Sequence, residues 1–118
     1  SGFGGTEYLL PALVSEGTRR GMGYNHMARV TSWNPAQRYG LNNKGDIAEG
    51  FDADIAIVDP ARTWQISAAN SPSTQGYTPF EGLELSARVD ATFLRGQRIY
   101  EDGQVIGKPI GRYLHRPT

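Results

Sequence analysis

Hydrophobic and polar positions change rhythm once along this chain, across residues 44–59, KGDIAEGFDADIAIVD. Before that stretch, apolar residues recur at helical spacing: Leu9, Leu10, Leu13 and Val14 form one stripe, and Met27, Val30 and Trp33 another. The first stripe predicts a helix starting near Pro11, because a proline is best placed where its missing N–H would have no partner anyway. Thr6 to Leu10 then form a looser lead-in, and Gly17, Gly21 and Gly23 end the helix. The second stripe predicts a helix from Tyr24 to Trp33. Asn34-Pro35 reads as the N-cap and first-turn proline of a third, short helix over Pro35 to Tyr39, closed by Gly40.

Inside residues 44–59, Gly45 and Gly50 supply positions where the backbone can take positive φ, and Asp46, Glu49 and Asp52 keep the connection solvated. Ala53, Ile55 and Ile57 then fall on one side of an extended chain, and Ala56 and Val58 on the other. That run, stopped by Asp59-Pro60, predicts a strand buried on both faces. Trp64 to Ile66 predict a second short strand, and residues 67–79, rich in Ser, Asn, Gly, Thr and Pro, a loop. Leu83 and Leu85 alternate. Ala87 to Leu94 continue as a strand, with Val89, Ala91 and Phe93 opposite a wetter face of Arg88, Asp90, Thr92 and Leu94. Arg95-Gly96-Gln97 turns the chain into Arg98 to Tyr100. Asp102-Gly103 predicts a type I′ hairpin whose partner strand is Gln104 to Ile106, because that turn needs positive φ at both positions. Residues 107–118, with Pro109, Gly111 and Pro117, read as irregular chain.

The totals narrow this picture. A length of 118 residues fits one domain or a piece of a larger one, able to bury roughly two-thirds of its unfolded surface. Twelve Lys and Arg balance twelve Asp and Glu, which leaves no electrostatic footprint for nucleic acid or an anionic membrane. The absence of Cys excludes disulfides and thiolate chemistry and suits a cytoplasmic setting. No apolar run approaches the ~20 residues that span a bilayer, so a soluble chain is expected. The opening SGFGG reads as the middle of a loop, as in a processed or excised segment.

Candidate chemistry is sparse. His26 and His115 lie far apart and lack the H-x-H or H-x-x-x-H spacing that aims two imidazoles at one metal. Asp46, Glu49, Asp52 and Asp54 are the densest carboxylate group, but without the D-x-D-x-D-G order of a calcium loop they read as turn chemistry. There is no G-x-S-x-G elbow, and no carboxylate pair stands out for glycoside chemistry. Gly2 to Gly5 could let backbone N–H groups approach a ligand closely, as glycine-rich loops before helices do for anions, or could be a plain flexible loop. Residue chemistry alone supplies no catalytic set.

The order of five blocks is more specific: SGFGGTEYLLPAL, SWNPAQRYGLNNKGDIAEGFDADIAIVDP, YTPFEG, TFLRGQRIYEDGQV and PIGRYLHRP. Together they resemble the C-terminal portion of the cyclic amidohydrolases, the dihydroorotase, allantoinase and hydantoinase (dihydropyrimidinase) branch of the amidohydrolase superfamily. The resemblance implies a parent enzyme with a (β/α)8 barrel carrying metal, usually a pair of zinc ions, at the C-terminal ends of its strands. The metals there activate a water that attacks a cyclic amide carbonyl. A small β-sandwich built from both ends of the polypeptide accompanies the barrel. On that basis the expected fold is mixed α and β: residues 1–44 as terminal loop and helices of the barrel, residues 45–118 as a C-terminal β-sandwich portion.

The family's metal ligands are an H-x-H pair, a carboxylated Lys, two further His and an Asp, all expected N-terminal to Ser1. The only lysines here are Lys44 and Lys108. The resemblance therefore implies zinc in the parent enzyme but none on this chain, no catalytic residue on this chain, and no activity of the chain by itself. It implies a substrate-facing loop at Ser1, Gly2, Phe3, Gly4 and Gly5. The expected partners are the remainder of the parent polypeptide and a small cyclic amide, which the T-P-F-E-G block inclines toward a dihydroorotase or allantoinase substrate. The alternative is a stand-alone β-rich interaction or oligomerisation module. Isolated helices over Thr6 to Tyr39 would expose Leu9, Leu13, Val30 and Trp33, and a homo-oligomer would cover them.

Overall fold

A computed structural model describes residues 4–117. Its fold is mixed α and β. A 3₁₀ turn, Thr6–Tyr8, leads into α1 (Leu9–Arg19); α2 (Tyr24–Ala28), a π-helical turn Arg29–Trp33 and α3 (Asn34–Arg38) follow. The strands are β1 (Ile55–Asp59), β2 (Trp64–Gln65), β3 (Glu84–Leu85), β4 (Arg88–Leu94), β5 (Gln97–Glu101) and β6 (Gln104–Val105). They form a four-stranded sheet in the order β1-β4-β5-β6 and a two-stranded sheet, β2-β3, with every pair antiparallel.

Helix α1 begins two residues before Pro11, so the predicted lead-in holds only as far as Tyr8. Its inward stripe is Leu10, Leu13, Val14 and Gly17, spaced i, i+3, i+4, i+7, with Val14 and Gly17 buried and the two leucines half-buried, and Leu9 is left 59% exposed. Gly17 does not end the helix. It is the point where α2 comes closest: a Cβ there would lie 2.9 Å from Met27 Cε. The stop is Gly21, at φ +85°. The Met22 N–H returns to Gly17 O (2.8 Å) and the Gly21 N–H to Thr18 O (3.1 Å), which satisfies carbonyls of the last turn in a Schellman motif. Gly40, at φ +69°, repeats the device, with Leu41 N–H on Ala36 O (2.9 Å).

Residues 24–38 form one continuous helical run, which corrects the reading of two helices separated at Asn34-Pro35. Asn34 has helical φ and ψ of −61° and −45°, and no side-chain cap bond forms at the start of α3. The physical reason is the π turn. A proline inside an α-helix clashes with the carbonyl four residues back, and the wider turn lying directly before Pro35 gives its ring room without breaking the helix. Thr31 Oγ1 donates to Met27 O (2.7 Å) within the same stretch.

Strand β1 is not buried on both faces. Among the described residues it is an edge strand paired only with β4, and Ala56 and Ile57 are exposed. A register irregularity between Ile57 and Val58 breaks the alternation and lets Val58 pack toward α1. In β4 all seven residues are half-buried, so the predicted wetter face is absent. Asp102-Gly103 is the expected turn, with φ of 48° and 82°; Arg95-Gly96 is a second, with 46° and 80°.

Among the described residues the core has two small clusters, both on α1 and its lead-in, with Ala36 buried apart from them. Tyr8, Ile66 and Leu85, with Ala12 and Trp64, join α1 to the small sheet. Val14, Met27 and Ala87, with Leu10, Leu13, Met22 and Val58, join it to α2 and the large sheet. Trp64 Nε1 donates to Ala87 O (2.6 Å), tying the two clusters together.

Candidate functional site

The 44–59 stretch closes on itself around Lys44. Asn43 O accepts the Asp52 N–H (2.9 Å), and the Asn43 side-chain amide donates to Asp52 Oδ2 (3.1 Å). Gly45 and Gly50 take φ of +92° and +87°, as expected. Lys44 Nζ sits between Asp52 Oδ2 (2.8 Å) and Asp54 Oδ2 (2.5 Å), with its side chain only 13% exposed. Asp54 Oδ1 accepts the Arg95 N–H (2.9 Å) from the β4–β5 turn.

Burial opposes the Lys44 charge, but the hydrogen bonds and charges of Asp52 and Asp54 outweigh it and raise the pKa above the ordinary lysine value. Burial likewise opposes ionisation of Asp54. Its bonds from Lys44 and the Arg95 N–H prevail, and its pKa lies below the ordinary carboxylate range. Asp46 accepts the Ile47 N–H (2.8 Å), a local turn bond, and Glu49 is exposed. The carboxylate group is therefore turn chemistry, as its spacing suggested, with an ion-pair centre that the spacing did not reveal.

Two larger depressions are formed, and the first adjoins this framework. An apolar groove of about 680 Å³ runs between the helices and β1, lined by Leu10, Val14, Met27, Ala36, Ile55 and Val58, with Lys44 and Asp54 at its margin. A more polar one of about 600 Å³ is lined by Tyr8, Trp64, Asn70, Arg88, Thr92 and Tyr100. Burial, then the neighbouring charge of Glu7, raises the Tyr8 pKa, which keeps that phenol protonated.

Of the expected substrate-facing loop, Ser1, Gly2 and Phe3 lie outside the described residues. The Gly4 N–H donates to Gln75 Oε1 (2.6 Å) and Gly5 O accepts the Tyr8 N–H (2.9 Å), so the loop's end is held by the 67–79 segment and the start of the helix. His26 is exposed on α2, and His115 lies edge-on to Tyr113 at 4.7 Å. Among the described residues no three His, Cys, Asp or Glu side chains are arranged to hold a metal. Asp52 and Asp54 do not fit one, because the Lys44 ammonium already occupies the point on which they converge.

Residues 6–99 match the amidohydrolase family. The chain is 38% identical over 114 residues to an allantoinase of Rubrobacter xylanophilus, covering 96% of this chain and 25% of that protein. It is 42% identical over 104 residues to a dihydroorotase of Pyrococcus abyssi, covering 87% and 26%. Among solved structures it superimposes on the D-hydantoinase (dihydropyrimidinase) from a Thermus species with a TM-score of 0.85 and 31% identity, covering 92% of this chain and 24% of that one. The chain thus spans about a quarter of the length of the curated relatives it matches.

Proposed function

The chain belongs to the amidohydrolase family, and from that premise we propose that it is the C-terminal part of a metal-dependent hydrolase of cyclic amides and does not catalyse the reaction alone. The observation that carries this reading is the pairing of near-complete coverage of this chain with quarter coverage of its relatives. In the parent enzyme, residues 1–44 would close a (β/α)8 barrel and residues 45–118 would supply strands of a β-sandwich. The metal, zinc, would be held by side chains outside this chain. A bound metal supplies a nucleophilic water and polarises the carbonyl. The contribution of this chain is structural: α1 brings both sheets together, and the apolar groove offers a face to the rest of the polypeptide. The loop at residues 1–5 is its one segment assigned to the substrate. Allantoin and dihydroorotate are the preferred substrate candidates, following the T-P-F-E-G block and the sequence relatives.

The test is hydrolysis of allantoin, dihydroorotate and hydantoin by the 118-residue chain with added zinc, beside the same chain joined to its upstream coding sequence. Turnover only by the joined protein is expected. Stoichiometric zinc and turnover on the isolated chain would refute the reading. A second reading, a self-associating module without catalysis, draws on the exposed Leu9, Val30 and Trp33. A strictly monomeric chain at high concentration would remove it.

A further inference from the structure

Lys44 adds a polar link between two parts of the chain that also meet through the Val14 cluster and the Asn43–Asp52 bond. On the helix side, Gly45 is pressed against the π turn and α3: a Cβ on it would lie 2.7 Å from Ser32 O and 2.6 Å from Ala36 Cβ. On the sheet side, Ala53 O accepts the Gly96 N–H (2.9 Å), Asp54 Oδ1 accepts the Arg95 N–H (2.9 Å), and the Arg95 guanidinium reaches Ile110 O in the tail. Between these anchors, residues 46–50 are exposed. The ammonium spans the gap from the first anchor to the second.

We propose that Lys44, Asp52 and Asp54 form a latch that fastens the start of edge strand β1 and the β4–β5 turn to the helices, and that opens as a unit without unfolding the core. Three features support a latch over an ordinary surface pair. The ammonium serves two carboxylates at once, at 2.8 and 2.5 Å, from a side chain only 13% exposed, where salt screens weakly. Both carboxylates are fixed by further bonds, Asp52 from Asn43 and Asp54 from Arg95, so little side-chain freedom is lost on closure. The apolar clusters around Tyr8 and Val14 include none of the three residues, so their packing does not depend on the latch. Lys44 and Asp54 also border the apolar groove, so opening the latch would loosen its β1 wall.

Amide hydrogen exchange, residue by residue on the whole chain, tests it. In Lys44→Met, the Asp52, Arg95 and Gly96 amides are expected to exchange at least tenfold faster. The Ile66 and Ile106 amides, bonded to Leu83 O and Ile99 O at the ends of the two sheets, should stay within twofold of the unsubstituted chain. Asp52→Asn, which leaves Asp54 on Lys44, should give a smaller acceleration confined to the same three amides. Unchanged exchange at Asp52, Arg95 and Gly96 would overturn the latch. So would equal acceleration everywhere or a Lys44→Met chain that fails to fold, since either would make Lys44 a support of the whole fold.

Discussion

Adding a methyl group at Gly45 and at Gly50 separates two physical costs that the loop combines. Both glycines have positive φ, +92° and +87°, and alanine in that region costs about 1–2 kcal/mol at either place. Only Gly45 also lacks space. Its Cβ would lie 2.6 Å from Ala36 Cβ and 2.7 Å from Ser32 O, whereas nothing lies within 4 Å of a Cβ at Gly50. Carbon atoms pack at about 3.5–4.0 Å, so roughly 1 Å of overlap must be relieved. One of the obstructing atoms is backbone, which cannot rotate away. Overpacking of this kind costs a further 1–3 kcal/mol or so. Gly50→Ala should therefore lose about 1–2 kcal/mol and Gly45→Ala about 2–5 kcal/mol, read from urea midpoints at unchanged m. Asparagine sharpens the contrast, because it tolerates positive φ: Gly50→Asn should be nearly neutral, while Gly45→Asn keeps the steric cost. Equal losses for the two alanine variants would refute the close approach of the loop to α3.

Ile66, 2% exposed between Tyr8 and Leu85, should lose about 2–5 kcal/mol on substitution by alanine in the same urea titration, as a buried isoleucine leaving a cavity does. Asn34→Ala should be neutral or stabilising by a few tenths of a kcal/mol, since Asn34 lies inside a helical run and alanine is the better helix former; a loss near 1 kcal/mol would restore Asn34 as an N-cap. Stability against pH should be level through neutrality and fall at both extremes. Asp54 has a depressed pKa, so its contribution is present above the ordinary carboxylate value and is lost as pH falls through the lower folded value. Lys44 has a raised pKa, so its contribution is present below the ordinary lysine value and is lost as pH rises through the higher folded one. In Lys44→Met the alkaline fall should shrink, and an unchanged profile would refute the assignment.

Features set by local turn chemistry were legible in the sequence. Gly45, Gly50 and Asp102-Gly103 adopt the positive φ their neighbours suggested, and Gly21 and Gly40 stand at the helix ends expected of them. The turn at Arg95-Gly96 was legible too, but the positive φ of Arg95 was not, because arginine seldom takes φ near +46°. Its turn is held by two bonds from the 53–54 segment, more than forty residues back in the chain. Lys44 was missed for a similar reason: its partners lie eight and ten residues on, across a turn, and helix or strand periodicity relates residues only within one regular element. In the helices, Leu9 and Tyr8 exchanged places. Hydrophobicity favoured the leucine, but Tyr8 is where the lead-in meets Trp64 and Phe80, with ring centroids at 6.4 and 6.2 Å. The family-level resemblance stood on blocks spread along the whole chain and did not depend on any of these local errors.

The misreading of β1 carries the most information. A run such as Ala53-Asp54-Ile55-Ala56-Ile57-Val58 has the composition of a strand covered on both faces, yet Ile57 is 49% exposed and the strand lies at a sheet edge. Covering Ile57 fully would gain about 1 kcal/mol, half the value of a whole isoleucine side chain, and Leu9, Val30 and Trp33 repeat the pattern on the helices. The groove between the helices and β1 adds Tyr24, Tyr39 and Ile47, which are exposed in its lining. Such a mismatch is expected where a sequence meets a covering surface that its own 118 residues do not provide. Relatives four times as long supply a candidate for that surface within a single polypeptide. The discrepancy therefore supports the proposal that this chain works as a part of a larger enzyme, and joining it to its upstream sequence should slow amide exchange along edge strand β1 relative to the isolated chain.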